Sequence, residues 1–291
     1  MSINLKGVGV ALVTPFHKDG SLDFQSYKKL INHVSNGKVD YLVPLGSTGE
    51  AATMNKDERN AVLDFVKEEN TKKLPIVMGF GGNNTRDLLN CLNETDFEGI
   101  DAILSVSPAY NKPPQRGIYQ HYKAIAEDCP VPVILYNVPG RTGSNITAET
   151  TISLAEDFKN IIGIKEASGN FDQFMQILKD KPKNFLMISG DDTVTLPLIA
   201  LGADGVISVV ANAYPKDFSA MVHHAMEGNF ADARKLHYKL LDITNSLFME
   251  NNPAGIKAAL SLLGITQEFV RLPLVSVSKA TQNKMAALMK L

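Results

Sequence analysis

One lysine closes an apolar run at Ile161-Ile162-Gly163-Ile164-Lys165-Glu166-Ala167-Ser168. A run of this kind, bounded by Gly and Ser, reads as a strand buried on both faces. At the mouth of such a strand a lysine can occupy a dry pocket, where burial disfavours the ammonium and lowers its pKa. The neutral amine is the form that attacks a carbonyl carbon to make a Schiff base. From this segment alone the plainer reading is favoured: a strand-end lysine whose head reaches past its apolar stem into water. What surrounds Lys165 decides between the two.

Other residues able to do chemistry follow other apolar runs. Gly46-Ser47-Thr48-Gly49-Glu50 places two hydroxyls and backbone N–H groups between glycines. That is a compact cradle for a carboxylate or phosphate, or simply a glycine turn with hydroxyl caps. Tyr110 lies in Ser107-Pro108-Ala109-Tyr110-Asn111. Tyr136 and Arg141 lie in Tyr136-Asn137-Val138-Pro139-Gly140-Arg141-Thr142-Gly143. Arginine is suited to a bidentate grip on a carboxylate, although in a Pro/Gly loop it can equally be a solvated charge. Ser189-Gly190-Asp191-Asp192 reads first as an acid-capped helix start, with Gly190 leaving room for close approach to the backbone. Gly205–Val209 carries Ile207 and Ser208, with Asn212 beyond.

The elements that must position these residues follow a repeating order. Apolar runs at 8–14, 41–45, 75–79, 102–106, 133–136, 161–165, 186–189 and 205–209 alternate with amphipathic stretches at 23–34, 56–69, 85–96, 117–128, 147–158, 172–179, 193–201 and 217–226. Strand and helix repeated eight times predict a parallel sheet closed into an α/β, (β/α)8 TIM barrel, with 1–226 as the catalytic barrel. Three further helical patterns at 230–249, 253–263 and 278–289 predict a C-terminal helical region over 227–291. An open doubly wound sheet is the alternative, but no G-x-G-x-x-G follows the first run. In such a barrel the chemistry sits where strands end, so the hydroxyls, tyrosines, Arg141 and Lys165 converge on one rim. That convergence turns the reading of Lys165 toward function.

Composition excludes several classes. The chain has 291 residues, is 44% hydrophobic and carries a formal net charge of -2 with the two signs mixed. No basic stripe favours nucleic acid, and no apolar stretch approaches the roughly 20 residues of a membrane span. The start, Met1 to Gly7, lacks the pattern of a secretory leader, so a cytoplasmic location is expected. Cys91 and Cys129 read as free thiols. His223 and His224 are adjacent on a helix and point apart, so no metal site is expected.

These motifs closely resemble the dihydrodipicolinate synthase family, within the pyruvate-dependent class I aldolases that include N-acetylneuraminate lyase. The resemblance spans essentially the whole chain. It is carried by Gly46–Glu50, Ser107–Pro113, Tyr136–Gly143, Gly163–Ser168, Ser189–Asp192 and Gly205–Val209, and Arg141 marks the synthase subgroup over the sialic acid lyases. It implies condensation of pyruvate with L-aspartate-4-semialdehyde to 4-hydroxy-tetrahydrodipicolinate in lysine and diaminopimelate biosynthesis, with no cofactor. The enzyme would be a lyase, usually a homotetramer built from tight dimers. Another pyruvate-dependent aldolase acting on a sugar acid, such as N-acetylneuraminate lyase, is the alternative, and a non-catalytic carboxylate-binding barrel is a third reading.

The resemblance also implies roles. Lys165 forms the imine with pyruvate and Tyr136 shuttles protons. Ser47 and Tyr110 complete a hydroxyl relay, Tyr110 reaching in from the neighbouring subunit. Thr48 and the backbone at Ser47 hold the pyruvate carboxylate, Arg141 grips that of the semialdehyde, and Gly190 and Ile207 line the pocket. Ser47 departs from a commoner threonine, keeping the hydroxyl. Asn251-Asn252-Pro253-Ala254 departs from a commoner Pro-Asn-Pro pattern, to which no role attaches. Many relatives are inhibited by L-lysine at a dimer-interface pocket. There Lys56, Arg59 and Ala109 replace histidines and a tyrosine, while Asn83 and Asp87 remain. A cationic effector would meet added positive charge and lose an aromatic wall, so weak or absent inhibition is expected.

Overall fold

Side chains along the strands alternate between two buried layers, as a period of two requires. On the fifth strand Val133 and Leu135 face the shell between sheet and helices, while Ile134 and Tyr136 face the barrel interior. The structure, a computed structural model, describes residues 3–290; Met1 and Ser2, part of the stretch read for a leader, lie outside them. The strands are β1 (Gly7–Ala11), β2 (Tyr41–Val43), β3 (Val77–Gly81), β4 (Ala102–Val106), β5 (Val133–Asn137), β6 (Ile161–Glu166), β7 (Leu186–Ser189) and β8 (Gly205–Ser208). Their order, β2-β1-β8-β7-β6-β5-β4-β3, is all parallel. A parallel bridge between Leu42 and Ile76 brings the two end strands together, and the Gly79 N–H donates to Pro44 O at 2.8 Å. The chain therefore has the (β/α)8 barrel its periodicity predicts.

Helices α1 (Phe24–Asn36), α2 (Lys56–Glu69), α3 (Thr85–Glu94) and α4 (Gln115–Asp128) pack outside the first half of the barrel. A short α5 (Pro139–Thr142) precedes α6 (Ala148–Asp157), α7 (Phe171–Asp180), α8 (Thr195–Ala200) and α9 (Pro215–Met226). The C-terminal helices are α10 (Phe230–Leu247), α11 (Ala254–Leu262) and α12 (Lys279–Met289), with α10 packed along α9. Side-chain caps fix several starts. Asn55 and Glu58 form a reciprocal capping box on α2, and Asn84, Thr147 and Asn170 cap α3, α6 and α7. Among the described residues no helix is long and apolar enough to cross a membrane.

Three local details differ from the periodicity. The first strand ends at Ala11 rather than Thr14, because the Asn212 side chain replaces a neighbouring strand there. Its Nδ2 donates to Ala11 O at 2.8 Å and its Oδ1 accepts from the Val13 N–H at 3.2 Å. The stretch 193–201 splits into a 3-10 turn (Asp192–Val194) and α8, the turn being capped by Asp191. Arg141 sits in the short helix α5, ended by Gly143 at φ 72°, rather than in an irregular loop.

The β2–β3 seam depends on one close approach. A Cβ on Gly79 would stand 2.3 Å from Leu45 O, inside any real contact distance. At Gly140 a Cβ would meet nothing within 4 Å. Gly79→Ala is expected to cost about 1–3 kcal/mol, the range for overpacking a filled core, and Gly140→Ala about 0.5 kcal/mol or less. Thermal melting of both variants checks the contrast.

Candidate active site

Register brings the two central groups together. In the β5–β6 ladder Tyr136 pairs with Lys165 and Asn137 with Glu166. The inward parity that buries Ile134 also turns Tyr136 inward, beside Lys165. Glu166, the next residue, is fully buried. It accepts from Asn137 Nδ2 at 2.9 Å, Gln173 Nε2 at 2.6 Å and the Ser168 N–H at 2.8 Å. Asn137 Oδ1 in turn accepts from the Ile146 N–H at 2.9 Å. This network fastens the ends of both strands. A buried carboxylate so fully hydrogen-bonded costs far less than an unpaired one.

Lys165 is 5% exposed, and its Nζ lies 4.4 Å from the centroid of the Tyr136 ring. Burial draws its pKa down to about 8, opposed by the charge of Asp192 and assisted by that of Arg141. A useful fraction of the amine is therefore neutral near physiological pH. Burial raises the pKa of the Tyr136 phenol, with Arg141 and the Ser47 hydroxyl acting the other way. The phenol is thus held in its neutral form beside the amine, where it is able to give or take a proton. Asp192 is buried; its Oδ2 accepts from the Val209 and Val210 N–H groups at 3.0 and 3.1 Å, and burial raises its pKa to about 6.

A cavity of about 430 Å³ opens above Lys165. Of the residues singled out from sequence, Ser47, Thr48, Tyr136, Arg141, Lys165 and Gly190 line it. Ser47–Gly49 forms a 3-10 turn that starts at the rim. The first N–H groups of such a turn have no partner within it, so they can serve an anion. Gly190 has a packing reason for being glycine. A Cβ there would stand 2.7 Å from that of Ala167 and 3.0 Å from Glu166 O. Ile207 and Tyr110 do not line the cavity. Ile207 lies in the barrel interior among Ile188 and its neighbours. Tyr110 is 88% exposed at φ 70°, its N–H donating to Thr142 O at 3.1 Å.

The C-terminal region supplies lining residues that sequence reasoning missed: Asn245, Phe248 and Asn252. Arg141 Nη2 donates to Asn252 O at 3.0 Å. Glu50, read only as the last residue of the glycine turn, is buried and pairs with the fully buried Lys257 of α11. Lys257 also donates to Phe269 O at 2.8 Å, and the Arg271 N–H donates to Glu50 Oε2 at 2.9 Å. Lys257 Nζ and the Arg271 guanidinium both lie over the Phe16 ring, 4.1 and 4.4 Å from its centroid. No local signal marks such partners, which stand some 200 residues apart in the chain. A second cavity of about 430 Å³ shares Gly46, Ser47, Leu104 and Tyr136 with the first. Its rim holds Lys56, Arg59, Asn83 and Asp87, and Lys56 Nζ pairs with Glu94 at 2.7 Å.

The arrangement offers a nucleophilic amine, a proton-carrying phenol and hydroxyl, and two anchor points for carboxylates, the Thr48 turn and Arg141. Its pH response has a definite sign. Labelling of Lys165 by an amine-directed acylating reagent, read by peptide mapping, should rise with pH through about 8. Arg141→Ala should move that midpoint up, by removing a cation that disfavours the ammonium. Asp192→Asn should move it down, by removing an anion that favours it.

The chain is similar to known proteins over nearly its whole length. The family model described as the dihydrodipicolinate synthetase family matches residues 4–291. The 4-hydroxy-tetrahydrodipicolinate synthase of Flavobacterium psychrophilum is 51% identical over 279 residues, 96% of this chain and 95% of that protein. The crystal structure of dihydrodipicolinate synthase from Thermotoga maritima superposes with a TM-score of 0.95 at 40% identity, covering 98% of this chain and 97% of that one. The chloride-inhibited dihydrodipicolinate synthase from Acinetobacter baumannii, solved in complex with pyruvate, gives a TM-score of 0.95 at 38% identity, over 99% and 98% of the two chains. With matches of this extent laid over a barrel whose rim holds Tyr136 and Lys165, the chain belongs to the dihydrodipicolinate synthetase family.

Proposed function

We propose that this chain condenses pyruvate with L-aspartate-4-semialdehyde to give 4-hydroxy-tetrahydrodipicolinate, as the synthase named for its relatives does, through a Schiff base on Lys165. The observation that carries the reading is the buried amine of Lys165, 4.4 Å from the Tyr136 ring in a carboxylate-ready cavity. The neutral amine attacks the ketone carbon of pyruvate. Tyr136 delivers a proton to the departing hydroxyl, water leaves, and the imine forms. Loss of a methyl proton gives the enamine, whose carbon adds to the aldehyde. The substrate's amino group then attacks the imine carbon, closes the ring and releases Lys165. Each proton moves over short range through the phenol and hydroxyls.

Thr48 and the Ser47 backbone hold the pyruvate carboxylate. Arg141 receives the carboxylate of the semialdehyde, and Gly190 keeps the backbone close beneath the substrates. Ile207 supports that floor from the barrel interior. Ser47 hands protons to Tyr110 of a neighbouring subunit; the outward, 88% exposed side chain of Tyr110 supports this assignment. The assembly is a homotetramer of tight dimers in the cytoplasm, a location with which the free thiols Cys91 and Cys129 are consistent. Arg141 favours the semialdehyde over a polyol sugar acid, which would call for hydroxyl-binding groups.

Borohydride added with pyruvate should inactivate the enzyme and leave one reduced adduct on Lys165, while Lys165→Arg should abolish trapping because guanidinium stays protonated. An adduct mapped elsewhere, or none, would refute the assignment. L-lysine should inhibit weakly or not at all in a steady-state assay with both substrates near saturation. Lys56 and Arg59 at the second cavity support this, and half-maximal inhibition below millimolar lysine would count against it.

A further inference from the structure

Asn252 touches both carboxylate anchors, Thr48 and Arg141. The residue is 5% exposed and lies in the cavity wall. Its backbone carbonyl accepts from Arg141 Nη2 at 3.0 Å. Its side-chain Nδ2 donates to Thr48 Oγ1 at 2.9 Å. Its Oδ1 is buried without a hydrogen-bond partner among the described residues. Turning the amide over would bury an unpaired –NH₂ in place of that oxygen, the costlier outcome, since buried carbonyls are left unpaired more readily than donors.

The direction of the Thr48 contact has a chemical consequence. A hydroxyl has one hydrogen and two lone pairs. Because the amide donates, it occupies a lone pair of Thr48 Oγ1 and leaves the hydrogen free. Among the described residues no acceptor takes that hydrogen, and Thr48 borders the cavity that holds Lys165. An acceptor at position 252 would do the opposite and draw the hydrogen away from the cavity.

We infer that Asn252 is a positioning residue: by donating to Thr48 it keeps that hydroxyl's hydrogen available to the keto-acid carboxylate, while its backbone carbonyl steadies Arg141 beside the second. The inference rests on the proposed imine chemistry at Lys165. It divides the two substrates. The side chain serves pyruvate through Thr48, whereas Arg141 is held by the backbone, which a substitution at 252 retains.

Steady-state kinetics on Asn252→Ala, Thr48→Val and the double variant test it, with thermal melting to confirm folding. Asn252→Ala should raise KM for pyruvate about two- to tenfold, the worth of one neutral hydrogen bond, and change KM for the semialdehyde and kcat by less than about twofold. In the Thr48→Val background the same substitution should leave KM for pyruvate unchanged, because Asn252 acts through the hydroxyl. An unchanged or lowered KM for pyruvate in the single variant overturns the inference, as does an equal loss for both substrates or an undiminished effect in the Thr48→Val background. Should Asn252→Ala not fold, Asn252→Asp keeps the shape and reverses the hydrogen bond. It should raise KM for pyruvate about 10- to 100-fold with Thr48 present, the range for a contact to a charged group, and by less in the Thr48→Val background; equal rises overturn the inference. Borohydride trapping of the unmodified enzyme with pyruvate separates the two levels. If that enzyme does not trap pyruvate, the imine reading fails; if it traps and the variants behave as above only in part, the role of Asn252 alone is refuted.

Discussion

Everything at the rim follows from keeping one ammonium out of water. A lysine at the end of a buried strand is costly to charge, and here that cost is put to use: the amine is held where losing its proton is easy. The balance is set by burial and two charged neighbours rather than by one partner. Apolar burial and Arg141 favour the neutral form, while Asp192 opposes them. Asp192 is itself buried and held by two backbone N–H groups. The amine therefore sits in a graded field rather than in an ion pair, which would have locked its charge.

Strand register does the rest. Moving β5 against β6 by one residue would exchange the faces of Tyr136 and Asn137, and the phenol would leave the interior. Two kinds of packing prevent this. Inside, Ile134 and Tyr136 fill the interior layer with Ile188 and Ile207. Outside, Glu166 and Asn137 are tied to Gln173, Ser168 and Ile146. The inward residues, Tyr136 and Lys165, line the cavity and the outward ones, Asn137 and Glu166, hold them still, each pair being neighbours in sequence with opposite surroundings.

This explains what could be read in advance. The eight-unit order and the placement of Lys165, Tyr136, Arg141 and the Ser47–Thr48 turn at strand ends have local signatures, since periodicity and punctuation are properties of short stretches. Contacts that join distant parts of the chain leave no such trace. Asn212 truncating β1, Lys257 beneath Glu50 and Asn252 beside Thr48 are all of this kind. Position at a strand end also proved a coarse guide to depth. Ile207 lies in the barrel interior rather than in the cavity wall. Gly190 was legible as a glycine that matters, but the reason, the approach of Glu166 and Ala167, belongs to the neighbouring strand.

The clamp of Glu50 by Lys257 and Arg271 bears on the order in which a ribosome releases this chain. The turn that carries Ser47 and Thr48 emerges some 200 residues before the groups that anchor it. Until then Glu50 has neither of its cationic and backbone partners from that segment, and a carboxylate deprived of them has no reason to stay in an apolar interior. A nascent barrel could thus wind most of its strands while its anion cradle remained unset. The turn would set only when α11 and the stretch of chain through Arg271 dock against Glu50.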